Sequence, residues 1–139
     1  MREIKFRAWQ HTLVDDKGKV VSNGRMMDWE ELKKNFITTI FANKNKYYVP
    51  LQFTGLKDKN GEDIYEGDIL EYKSGNYHRR IVEWSEKGVR WGIRKIARKY
   101  DQSPDHQQIA VNMKNVYEYN DRWKVIGNIY ENPQLINKQ

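Results

Sequence analysis

The sequence predicts a mainly β fold with one short helix, and three observations carry that expectation. Apolar and polar residues alternate over short stretches, as in Ile4, Phe6 and Ala8 set against Lys5, Arg7 and Trp9. Turn residues recur every 8 to 12 positions, the spacing of short antiparallel strands. Trp 5, Tyr 9 and Phe 4 give a chain of modest hydrophobic content enough aromatic area to bury a core.

The opening alternation reads as a half-buried strand. Asp15-Asp16-Lys17-Gly18 makes a turn and Val20-Val21 a short return strand. Asp28 followed by Glu31 resembles a capping box, and Trp29, Leu32 and Phe36 then fall on one helical face. This is the one helix expected. The β-branched run Ile37 to Ala42 reads as a strand. So does Tyr47 to Thr54, where Pro50 has no N–H to donate and implies an edge position or an interruption of the strand there.

Asn60-Gly61 predicts a hairpin with a type I′ turn, which needs positive φ at both residues. Glu66-Gly67-Asp68 forms a second corner before a strand at Ile69 to Lys73. Further strands are expected at Tyr77 to Trp84, Val89 to Ile96, Ile109 to Tyr119 and Arg122 to Tyr130, with a polar loop at 97–108. Asn132-Pro133 ends the last strand, and the tail from Leu135 onward is expected to be loosely held.

At 139 residues one domain is the natural expectation. The absence of cysteine excludes disulfides and thiolate nucleophiles. The first nine residues lack the continuous apolar core of a signal peptide, and no run approaches the roughly 18 apolar residues of a membrane helix. A cytoplasmic protein without a membrane partner is expected.

The net charge of +6 is concentrated. Residues 73–99 carry nine cations against Glu83 and Glu86, leaving +7, while the flanking segments are near neutral. Tyr77, Trp84, Trp91 and Tyr100 interleave with these cations. Cations neutralise phosphates and aromatic faces stack bases, the combination used on single-stranded nucleic acid. The candidate contacts are Arg79, Arg80, Arg90, Arg94, Lys95, Arg98 and Lys99, with Trp91 as a stacking residue provided that it is exposed. Within Val89 to Ile96, Arg90 and Arg94 share a face opposite Val89, Trp91 and Ile93. The plainer reading stays open beside this one: charge runs are often only solvated faces, Trp84 and Trp91 can be core, and no recognised nucleic-acid motif is present.

Other chemistries find less support. Asp58, Glu62, Asp63, Glu66 and Asp68 cluster, yet their spacing lacks the alternating ligands of a calcium loop, and acidic residues in turns commonly serve local hydrogen bonds. His11, His78 and His106 match no metal-ligand spacing. Neither a nucleophile–base–orienter constellation nor a phosphate-binding glycine loop is visible. No metal, cofactor or catalytic residue is therefore expected, and the chain reads as non-enzymatic.

Three blocks resemble the signature segments of the YopX family, small proteins encoded by bacteriophages and prophages: Met1 to Trp9 (MREIKFRAW), Gln52 to Leu70 (QFTGLKDKNGEDIYEGDIL) and Val125 to Gln134 (VIGNIYENPQ). Gln10 stands where an acidic residue often follows the opening Trp. The resemblance implies a phage or prophage accessory protein acting in the bacterial cytoplasm, and it brings no activity, substrate or catalytic residue with it. Tyr65 to Ile69 also resembles the entry to an SH3-like barrel, an analogy of fold that carries little functional weight. The chain is thus expected to be one YopX-like domain, with a strand, helix and hairpin extension over 1–63 and a small SH3-like barrel over 64–134. Three function classes follow: first a module that binds nucleic acid through 73–99, second a module that binds a host or phage protein or its own copy, and last an enzyme built on residues that no motif reveals.

Overall fold

A computed structural model describes residues 3–34, 37–42, 46–74, 76–86, 89–96, 111–112 and 122–137. Strands predominate. They are β1 (Phe6–Gln10), β2 (Leu13–Val14), β3 (Val20–Ser22), β4 (Arg25–Met27), β5 (Tyr48–Lys57), β6 (Asp63–Tyr65), β7 (Asp68–Ser74), β8 (Asn76–Ser85), β9 (Arg90–Lys95), β10 (Val111–Asn112) and β11 (Trp123–Asn128). Among the described residues three short helices accompany them, α1 (Trp29–Lys34), α2 (Ile37–Ala42) and α3 (Gln134–Asn137). The chain divides into two compact units, Met1–Phe53 and Thr54–Gln139.

In the N-terminal unit β1 pairs antiparallel with β4 on one side and with β5 on the other. Phe53 N–H donates to Lys5 C=O and His11 N–H to Tyr47 C=O, each at 2.9 Å. Bonded pairs alternate along an antiparallel ladder, so the Ala8–Pro50 pair is a non-bonded one. The nitrogen of Pro50 therefore faces away from β1, and its missing N–H costs the ladder nothing. Between β1 and β4, β2 and β3 form a separate two-stranded ribbon. Its turn is held by Asp15, whose Oδ1 accepts the N–H groups of Lys17 and Lys19.

Asp28 caps α1 as its side chain predicts: Oδ1 accepts the Glu31 N–H at 2.8 Å. Only half of the box forms, because Glu31 turns to Arg25, accepting at Oε2 from Nη1 at 2.9 Å and at Oε1 from Nη2. This hydrogen bond from Arg25 holds the Glu31 carboxyl below its ordinary value. The unfolded chain consequently takes up the proton first. The pair's stabilisation is complete above the ordinary carboxylate range and is lost as pH falls from about 4.5 through the folded value. Both side chains are partly exposed, which keeps the effect small. Glu31→Gln is expected to flatten the acid-side fall of the melting temperature between about pH 5 and pH 3. A slope identical to that of the wild type would show that the pair contributes nothing.

The run Ile37 to Ala42 is a helix where its composition predicts a strand, and packing explains the difference. A helix brings Ile37 and Ile40, three residues apart, onto one side, where they join Ala8, Met27 and Leu32. Phe41 then meets Phe6 edge-to-face at 5.1 Å. A strand would send Ile37 and Ile40 to opposite faces. Tertiary burial overrides β-propensity here, so the expected count of one helix is too low. Phe36, expected on the face of α1, lies outside the described residues.

In the C-terminal unit the five-stranded sheet runs β10-β9-β8-β7-β11, so the final strand returns to pair with β7. Each face carries an apolar cluster. One gathers Leu56, Ile64, Leu70, Val82, Trp91 and Ile93, with Trp123 and Val125 against them. The other gathers Ile69, Ile81 and Ile96, covered by Ile126, Ile129, Leu135 and Ile136. Leu135 thus belongs to the core rather than to a loose tail. β11 stops at Asn128, four residues before the expected Asn132-Pro133 stop. There Asn128 Oδ1 accepts the N–H groups of Tyr130 and Glu131 and turns the chain. Asn132-Pro133 instead opens α3, as a proline at a helix start can.

The β5–β6 hairpin exists but does not turn as type I′. Only Gly61 adopts positive φ, at 84°. Gly61 N–H donates to Asp58 C=O, and Asp58 N–H donates to Glu62 C=O, the pattern of a longer turn closed by a glycine bulge. Buried Asp58 decides this geometry. Its Oδ1 accepts from Asn60 N–H (2.7 Å) and Glu62 N–H (3.0 Å), and its Oδ2 from Val125 N–H (2.9 Å). Lys59 N–H donates to Trp123 C=O at 3.0 Å, so the hairpin loop occupies part of the outer edge of β11.

Candidate nucleic-acid interface

The basic segment is laid out by β7, β8 and β9. Alternation along the strands and the pairings Ile81–Arg94, Glu83–Gly92 and Ser85–Arg90 place Arg79, Arg90 and Arg94 on the face that carries Ile81. Arg80 and Trp91 leave on the opposite face, with Val82 and Ile93. The cations do not all converge.

Two of the three on the first face are engaged with carboxylates. Arg79 stands directly opposite Glu71 in the ladder, and its Nε donates to Glu71 Oε1 at 3.1 Å. Its Nη1 also donates to Leu135 C=O at 3.2 Å, tying the sheet to α3. Both side chains are half-buried, so Arg79 is part of the structure of this face. Arg94 Nε donates to Glu83 Oε2 at 2.8 Å in a more open setting. Arg80 folds back on the chain, Nη1 donating to Arg79 C=O at 2.9 Å. Arg90 is exposed, and among the described residues no carboxylate holds it. The side chain of Lys95, and the whole of Arg98 and Lys99, lie outside the described residues.

The tryptophans reverse the expected roles. Trp91 is 7% exposed and sits in the core, which excludes it as a stacking residue. Its Nε1–H is buried without a hydrogen-bond partner. Trp84, directly across the ladder, keeps 38% exposure and meets Trp91 edge-to-face at 5.1 Å. Strand alternation alone could not make this distinction, because the two residues share a face and stand directly opposite each other in the ladder. Glu71 was missed for a similar reason: it lies before the basic window in sequence and reaches Arg79 only through the β7–β8 register.

Within the acidic cluster Asp58 and Asp68 serve the backbone, while Asp63 Oδ1 accepts from Lys57 Nζ at 2.7 Å. Asp58 accepts three N–H groups, and the fully buried Asp68 accepts the Tyr65 N–H at 2.7 Å. Among the described residues no group of three His, Cys, Asp or Glu stands close enough to hold a metal ion. Among the same residues no helix is long and apolar enough to cross a membrane.

No curated protein matches this chain. Among solved structures it is similar to protein EF1440 from Enterococcus faecalis, with 25% identity over 98% of this chain and 99% of that one and a TM-score of 0.49. Residues 5–137 match the family described as YopX protein. That span runs from the edge of the opening strand to the end of α3, and the chain accordingly belongs to the YopX family.

Proposed function

We propose that this chain is a non-enzymatic phage or prophage accessory module that binds nucleic acid through residues 73–99, in the cytoplasm of the bacterial host. The observation that carries the reading is the charge distribution: the whole positive excess of the chain falls in one segment, within which Arg90 is exposed and, among the described residues, held by no carboxylate. A concentrated positive field attracts a polyanion. The strand order β11-β7-β8-β9-β10, with the last strand returning beside the first, supports reading the C-terminal unit as an SH3-like barrel. The phage setting rests on the family resemblance.

The contact set is narrower than composition implies, because Glu71 and Glu83 neutralise Arg79 and Arg94. Binding to oligonucleotides is expected to weaken as salt rises. Arg90→Glu is expected to lower affinity for all sequences alike and to reduce the salt slope by about 1. Arg94→Gln changes little. Titrations at several salt concentrations measure this, and identical slopes for the wild type and Arg90→Glu would remove Arg90 from the interface.

A second reading is favoured by the β2–β3 ribbon. Ser22, on one of its sides, is engaged by Gln10, while Val14, Val20 and Val21 remain 57%, 50% and 62% exposed. Clustered exposed valines suit a protein partner or a second copy of this chain. Association of that kind is apolar and insensitive to salt, which separates it from the first reading.

A further inference from the structure

The end of the β8–β9 hairpin combines three features. Trp84 presents an exposed indole on one side of the strand pair, and Arg90 an exposed guanidinium, held by no carboxylate among the described residues, on the other. Between them Val89 is 75% exposed at a φ of 46°, a conformation costly for a β-branched residue. Its N–H closes the turn on Glu86 C=O at 3.3 Å. Backbone strain of this kind persists where surrounding structure imposes it, and it clusters at functional sites.

We infer that this hairpin end selects single-stranded over duplex nucleic acid, stacking an unpaired base on Trp84 while Arg90 holds a neighbouring phosphate. The inference rests on the nucleic-acid reading above and adds the class of ligand. A duplex keeps both faces of its bases covered, so an indole gains nothing from it without unstacking a step. Duplex affinity also draws on many phosphate contacts made together, and two arginines of this segment are already neutralised by Glu71 and Glu83. One open aromatic side chain and one cation, on the two sides of the same hairpin end, match a single strand that passes over that end, whose every base offers a π face. Trp91 cannot substitute, since the core encloses it.

The test uses the full chain with a labelled deoxythymidine oligomer and a duplex of equal length at low salt. Trp84→Leu keeps an apolar side chain against Trp91 and removes the aromatic face, whereas Trp84→Phe keeps both. The wild type is expected to prefer the single strand. Trp84→Leu is expected to lose on the order of 10-fold in single-strand affinity, the loss of one stacked base, with duplex binding unchanged and with Trp84→Phe close to wild type. Single-strand affinity equal in the wild type and Trp84→Leu, or a preference for duplex, overturns the inference and leaves the nucleic-acid reading standing. Binding of neither oligomer overturns both. If Trp84→Leu fails to fold, tryptophan quenching decides: binding should quench wild-type fluorescence and quench Trp84→Phe much less, and equal quenching overturns the inference.

Discussion

Gly127→Ala is expected to destabilise the protein by about 3 kcal/mol, from backbone strain and steric conflict acting together. Gly127 adopts a φ of 151°, outside the range that side chains tolerate. It follows a β-bulge in β11, where the register to β7 shifts between Val125 and Gly127. A Cβ at this position would lie 2.3 Å from Asn132 Oδ1 and 3.1 Å from Asn132 Cβ. Asn132 cannot simply swing away. Its Oδ1 accepts the Asn128 N–H at 3.2 Å, and its own N–H donates to Asn128 C=O at 2.9 Å. Buried Asn128 in turn accepts from Tyr130 and Glu131 N–H. Displacing Asn132 therefore disturbs the corner that leads into α3. Urea unfolding measures the loss, and a change below about 1 kcal/mol would show that the corner relaxes freely.

Asp58→Ala is expected to cost a comparable amount, again about 3 kcal/mol, for a different reason. The substitution removes the acceptor of three N–H groups, and each buried donor left unpaired costs about 1–3 kcal/mol less whatever water recovers. Asn60 and Glu62 lie near solvent and are rehydrated, whereas Val125 is half-buried beside the first core cluster. Asp58→Asn keeps an oxygen for the loop and turns an NH₂ group toward the Val125 N–H, so it is expected to fall between Ala and the wild type. Hydrogen exchange at Val125 separates local from global loss. It should accelerate in both variants, and unchanged protection would mean that this bond adds nothing to the edge of β11.

These two positions also show how much could be read in advance. Both lie in sequence blocks that resemble the family, and turn residues stand near both, Asn60-Gly61 beside Asp58 and Asn132-Pro133 beyond Gly127. The strands at β1, β5, β7, β8 and β9 follow from alternation, and the cap of α1 from Asp28. What stayed hidden depended on register. Counting charge along the chain finds the excess in 73–99 but not Glu71, which reaches Arg79 from the adjacent strand. Alternation puts Trp84 and Trp91 on one face without telling which of them is enclosed. In the same way, the β-branched composition of Ile37 to Ala42 reports propensity, while its conformation was set by Leu32 and Ala8, neighbours brought up by the fold.

The return of β11 to β7 also constrains the order in which this protein can assemble. Leu70 and Val125 are partners in the ladder although more than fifty residues separate them, and joining them requires closing a long loop whose entropic cost comes before any contact repays it. Ala8 and Met27 are partners over a far shorter span. Assembly should therefore begin with the local ladders, and β11 should dock late, so that until it arrives the isoleucines of β7 and β8 face water and the nascent sheet is open to mispairing with another chain.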